Sequence, residues 1–428
     1  MTGKTPYKVL FAALAAALVL GSLSGVAQER PKKKLIEFGW DVPSPEFVRD
    51  HIRGMETRPF DGIIFRTKEY NHAFDTRPWT DAVFKPDMDA LAAIKWGKFT
   101  DNFLTLYAAN NWKMNWFDDS QWTVIEANMR LFSKAAKAGK CVGVCFDNEP
   151  YGDDPWVFQG KFPGKTFDEV AAKVRARGAQ FMRALQSSTP DMKVLHFFQL
   201  SYYGDTIEET HNYRKETRPD LLNEPDPARR NELLSTRWLA LFEPFFIGML
   251  DAAGPNVTFI DGNEFAYYYD SPDDFFRHYH QMKVSALTLV PEPLRRKHFE
   301  RVQAGNAVYY DILAAEKWGN SFKKFVPSNF MTMDERLRYL EHNVFWSLFT
   351  TDEYVWFYSE NMNWWKAVAA PGREYGPKID VPPGLEDAVV SARTKIGRGQ
   401  PLGFEVTEPV ARGWRKVEEA YKAQDAKK

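Results

Sequence analysis

The stretch Val142 to Gly152 reads VGVCFDNEPYG: an apolar run that ends in two carboxyl groups two residues apart, Asp147 and Glu149. Carboxyls in unlike surroundings can share acid/base work. One, kept protonated by burial or by a neighbouring like charge, gives a proton to a leaving group; the other, ionised, acts as nucleophile or as base for water. Asp147 can supply the like charge that holds the proton on Glu149. Two further glutamates stand in similar company, Glu264 in IDGNEF and Glu360 in YSENMNWW. Around them lie Asn148, Tyr151, Asn263, Trp364 and Trp365. Trp40 in GWDVP, Trp112 and Trp116 in AANNWKMNWFDD, and Tyr202 in SYYGD belong to the same kind of segment. Aromatic faces pack against the C–H faces of pyranosides, and amides and carboxylates bond the hydroxyls. The set therefore suits a carbohydrate ligand.

Other chemistries lack their residues. The eight histidines form no His-x-His on a strand, and His278 and His280 fall in a helical stretch where positions two apart face different ways. No Gly-x-Ser-x-Gly elbow and no phosphate loop occurs. The two cysteines, Cys141 and Cys145, sit four residues apart in one apolar run. That separation in a strand, about 13 Å, exceeds what a disulfide spans, so both read as small buried thiols. No metal or other cofactor is expected. The formal charge of -1 over 428 residues gives no footprint for nucleic acid.

These residues need a scaffold that brings distant segments to one place. Extended apolar runs begin at Leu35, Gly62, Phe103, Cys141, Val194, Val257, Ala307 and Tyr354, and helix-like stretches lie between them. Apolar strands alternating with helices imply a parallel sheet covered on both faces, and eight such units imply an α/β fold of the (β/α)₈ TIM-barrel type. The seventh run, AVYYDILAAEKW, reads equally well as helix. A doubly wound sheet is disfavoured because FGWDVPSP, not a Gly-rich loop, follows the first run. The segments entering strands are plain (TRPFD, AKAGK, AAGPN), whereas those leaving them carry the Trp, Tyr, Asn, Asp and Glu. Barrel enzymes place their chemistry at that leaving end. In a strand, Cys141, Gly143, Cys145, Asp147 and Glu149 share a face, and Pro150, lacking an N–H, ends the ladder and points Glu149 outward.

Asn-Glu-Pro at the end of a fourth barrel strand resembles the acid/base motif of the retaining glycoside hydrolases of clan A. The resemblance implies a sugar substrate, Glu149 as general acid/base, and Asn148 on the sugar's 2-hydroxyl. The family's nucleophilic Glu ends its seventh strand; here that run ends in Asp311, leaving Glu360 and Glu264 as the alternatives. FDNEPY is also similar to the D-x-E pair of chitinase-like barrels, in which Asp147 would assist an N-acetyl group. Gly143 and Cys145 replace the earlier acids of that pattern. The expectation is a glycoside hydrolase acting in polysaccharide degradation; the alternative is a barrel that binds glycans without cleaving them.

Lys4 and Lys8 precede the apolar run Val9 to Leu20, followed by small residues to Ala27. This is the order of a secretory signal peptide spanning residues 1–27, too short for a stable span of roughly 20 residues. A secreted or periplasmic protein with a single barrel over residues 28–405 and a fraying helical tail over 406–428 is expected. The polar stretch Gly204 to Glu232 is long enough for a lid.

Overall fold

The computed structural model describes residues 32–204, 221–314, 326–368, 376–377 and 379–425. The expected signal segment, residues 1–27, and most of the expected lid, residues 205–220, lie outside them. Within them the sheet contains nine strands: β1 (Lys34–Gly39), β2 (Gly62–Phe65), β3 (Phe103–Tyr107), β4 (Gly143–Asp147), β5 (Lys193–His196), β6 (Thr258–Asp261), β7 (Val302–Ala304), β8 (Asn306–Tyr309) and β9 (Tyr354–Ser359). All neighbours are parallel, in the order β7-β6-β5-β4-β3-β2-β1-β9-β8.

The two ends of this list are one piece of chain. β7 pairs with β6, β8 pairs with β9, and only Gly305 separates them. The stretch 302–309 is thus a single stave that leans on one neighbour with its first half and on the other with its second, closing the sheet into an eight-staved (β/α)₈ barrel. Gly305 donates to the carbonyl of Asp261 at 2.8 Å. A Cβ there would sit 2.8 Å from that oxygen and 2.9 Å from Ile260 Cγ2, so the seam has no room for a side chain. The ambiguous seventh run fulfils both of its readings: Asn306–Tyr309 is strand and Tyr310–Leu313 is helix.

The helices cap themselves as their sequences suggest. Thr166 and Thr332 close capping boxes with Glu169 and Glu335. Strand parity decides what enters the barrel. Phe146 packs among Phe181 and Phe245 in the helical layer, so Gly143, Cys145 and Asp147 face inward. On β9, Phe357 meets Phe60 and Trp364 outside, while Trp356 and Tyr358 meet Phe38 within. Cys141 and Cys145 are free and buried. The C-terminal helix Thr407–Asp425 is docked along its first part: Val410 and Val417 are buried, Trp414 Nε1 bonds Asp270 at 2.6 Å, and Arg412 pairs with Glu335. Among the described residues, no helix is long and apolar enough to cross a membrane.

Candidate active site

β4 ends two residues short of Glu149. Its last pair is Tyr107 with Asp147. There Asp147 Oδ1 accepts the N–H of Glu149 at 3.0 Å, a local side-chain bond that turns the chain. The carboxyl of Asp147 thus joins Pro150, which has no N–H to offer, in ending the strand before Glu149. Glu149 is half-buried, and Tyr151, 61% exposed, donates its O–H to Glu149 Oε2 at 2.7 Å.

Glu264 opens the 3-10 turn Glu264–Tyr268 directly after β6, entered through Asn263 in a left-handed conformation (φ 46°). Glu360 follows β9. Its backbone N–H donates to Asp311 Oδ2 at 2.8 Å, and Asn361 Nδ2 donates to Asp311 Oδ1 at 2.7 Å. The seventh stave thus does end near an acid, and Asp311, fully buried, braces the Glu360 loop.

The three glutamates converge. Burial, followed by the charge of Glu360, raises Glu149 above the usual carboxylate range, against the hydrogen bond from Tyr151. Burial, then the charges of Glu149 and Asp147, push Glu264 well up. Burial, then Glu149, do the same to Asp147. Burial is the main cause of the upward shifts of Tyr268 and Tyr358 too, and both phenols also feel Glu264, Glu360 and Glu149 together. Tyr267, Tyr309 and Tyr358 pack on one another with ring centroids 4.6–5.7 Å apart. With their phenols held protonated, they form a wall of O–H donors beside the carboxyls. This tyrosine wall was missed by reading the sequence for tryptophan, although EFAYYYD and AVYYD carried the signal.

Several expected sugar contacts lie elsewhere. Trp364 and Trp365 are 0% and 2% exposed. Trp364 stands edge-on to Phe60 at 4.7 Å, and Trp365 packs on Phe99, so both belong to the layer between barrel and helices and cannot meet a ligand. Trp116 is buried likewise, against Trp122. Asn263 is consumed inside by Tyr269 and Asn306, and Asn148 is fully buried with its Nδ2 on the carbonyl of Phe198. The physical reason is common to all: a polar or aromatic side chain at a strand end serves the fold first wherever the loop crosses over it. Trp40, 60% exposed, Tyr151, and half-buried Trp112 and Tyr202 remain accessible. Trp112 lies under the guanidinium of Arg77 at 4.4 Å.

No family model and no curated protein matches the sequence. Solved structures that align with it include a trimodular endoglucanase of the GH5_4 subfamily (11% identity, TM-score 0.44, 85% of this chain). A tri-modular endo-beta-1,4-glucanase B from Bacillus halodurans (10%, 0.42, 85%) and an O-GlcNAc hydrolase from Thermobaculum terrenum (8%, 0.40, 91%) also align. The chain spans 60%, 60% and 62% of those three chains. At these scores the barrel rests on its own strand pairing, which gives the fold that the Asn-Glu-Pro resemblance implied.

Proposed function

We propose that this protein is an exported glycoside hydrolase that cleaves a poly- or oligosaccharide with its mouth carboxyls. The observation that carries the reading is the convergence of Glu149, Glu264 and Glu360 at the C-terminal mouth of a closed barrel, each bearing on another's charge. Export rests on the signal-like order of residues 1–27.

Glu149 is the general acid. Burial and the charge of Glu360 favour its proton, which passes to the glycosidic oxygen as the bond to the anomeric carbon breaks. Glu360, braced by Asp311, is the carboxylate that meets the anomeric carbon, either directly at a spacing of ~5–5.5 Å or through a water at ~6.5–9.5 Å. Burial and neighbouring charge push Glu264 and Asp147 up as well, so the like charge that acts on Glu149 is that of Glu360. Trp40 and Tyr151 offer exposed rings to the sugar, while the phenols of half-buried Tyr268 and Tyr358 donate to hydroxyls. Asp311, spent as a brace, gives the alternative of a glycan-binding barrel its one support.

The test is a panel of oligosaccharides assayed for released reducing ends. Wild type should turn over at least one. Glu149→Gln and Glu360→Gln should each lose ~10²–10⁴ in kcat while still binding the sugar. Saturable binding with no turnover by wild type would favour the binding barrel.

A further inference from the structure

A second cleft lies outside the barrel, on the flank where the helix Met333–Thr350 meets the segment before the C-terminal helix Thr407–Asp425. Its volume is about 760 Å³. Half-buried Trp346, Phe404 and Trp414 face it, with the carboxyl of Asp270 and the imidazole of His342 in the wall. Asp270 is held in place by Trp414 Nε1 at 2.6 Å. His342 is only 3% exposed, and its Nδ1 has no hydrogen-bond partner among the described residues. From Trp346 the aromatic surface continues outward to Phe276 at 5.8 Å and Phe349 at 5.3 Å. These two rings are 48% and 52% exposed.

We propose that this cleft is a second carbohydrate-binding site, one that seats rings of a neutral glycan chain on the barrel's flank. The wall is built for that chemistry. Ring faces can take the C–H faces of sugars, and a carboxyl and an imidazole can take their hydroxyls. An apolar guest would leave His342 Nδ1 without a partner, which buried polar groups resist, while Asp270 already accepts from Trp414 Nε1. The lining holds the carboxyls of Asp270 and Glu405 and no Lys or Arg, and Lys395, which lies over the Phe404 ring at 5.0 Å, is paired with Glu341, so the cleft disfavours an acidic polymer. Burial lowers His342 to about 4, so its ring is neutral near pH 7 and offers one donor and one acceptor nitrogen. Phe276 and Phe349 extend the track beyond the cleft, as a chain longer than one ring requires. The inference concerns binding alone and stands apart from turnover at the mouth.

Ala411 is exposed on the C-terminal helix and lines the cleft, so Ala411→Trp fills the space while removing no native contact. The full chain, this variant and Trp346→Ala are run through native gels containing soluble glucan, mannan, xylan or glycol-chitin. Wild type should be retarded by at least one neutral polymer. Both variants should weaken that apparent affinity by about tenfold, and Ala411→Trp should keep wild-type turnover of short oligosaccharides. Trp40→Ala, at the mouth, separates the two sites because the flank retardation should survive it. No retardation in any gel, or equal retardation of wild type and Ala411→Trp, overturns the proposal. If retardation responds to Ala411→Trp but no sugar is cleaved, the flank site stands and the hydrolase reading falls.

Discussion

At the end where the strands begin, Lys34 reaches Asp101 at 2.5 Å, Lys193 reaches Glu353 at 2.9 Å, Arg393 reaches Asp61 at 2.6 Å and Lys283 reaches Asp352 at 3.1 Å. Tyr354 closes the set, donating to Asp101 at 2.6 Å while accepting from Lys193 at 2.5 Å. At the end where the strands finish, Asp147, Glu149 and Glu264 are surrounded by phenols and by one another. The same residue type is driven in opposite directions. Burial alone would raise Asp101, yet Lys34, Thr100 and Tyr354 hold it below its ordinary value. Burial raises Glu149, Glu264 and Asp147, and neighbouring charges add to it. One end uses carboxylates to close the barrel. The other favours the protonated form of its carboxyls.

The sharpest break of this contrast is Glu149→Gln. It removes the transferable proton but keeps shape, so kcat should fall ~10²–10⁴-fold with an unchanged melting curve. A variant that keeps full turnover sinks the assignment. Next comes Trp364→Ala. The side chain is fully buried against Phe60 and Phe357, so chemical denaturation should show a loss of ~3–5 kcal/mol. Trp40→Ala, at an exposed position, should leave stability alone and raise KM. If the two swapped outcomes, the correction made to the tryptophans would itself be wrong.

Much of the barrel was legible because its signal is local. Each apolar run needs only its own residues to read as a strand, and seven of the eight were unambiguous. The eighth was not, because four residues of strand run into four of helix across Tyr309 and Tyr310. The rim was legible as composition but not as orientation. Whether Trp364 turns inward and Trp40 outward depends on contacts far apart in sequence: Asp41 Oδ2 accepts the Trp364 N–H at 2.7 Å over 323 positions. Asn148 and Asn263 were misread for the same reason: distant parts of the fold claimed them before any ligand, the carbonyl of Phe198 for one and the side chains of Tyr269 and Asn306 for the other. Glu149, Glu264 and Glu360 were legible as carboxyls leaving strands. Their convergence needed the closure at Gly305.

At the paired end, Lys34→Met leaves Asp101 buried with Thr100 and Tyr354 as donors. A hydrogen-bonded ion pair of this burial is worth about 2 kcal/mol when one partner is lost. Asp101 sits below its unfolded pKa when folded, so its contribution is present above that unfolded value and is lost as pH falls through the folded one. The deficit of Lys34→Met should therefore be full near pH 7 and shrink in acid, with turnover untouched. A deficit that does not vary with pH would mean Asp101 is not the group concerned.

The smallest effect is the most discriminating. Tyr151 donates to Glu149 Oε2 at 2.7 Å and favours the ionised acid, working against burial and Glu360. Tyr151→Phe keeps the exposed ring and deletes only that donor, so Glu149 should rise further. As a general acid, Glu149 works below its pKa, and activity is lost as pH climbs through it. The basic limb of kcat/KM should thus move to higher pH in Tyr151→Phe, while the sugar affinity lent by the ring holds. If Glu149 were instead the ionised base, the same substitution would move the acidic limb upward. A pH–rate profile of one conservative variant therefore tells which of the mouth carboxyls carries the proton.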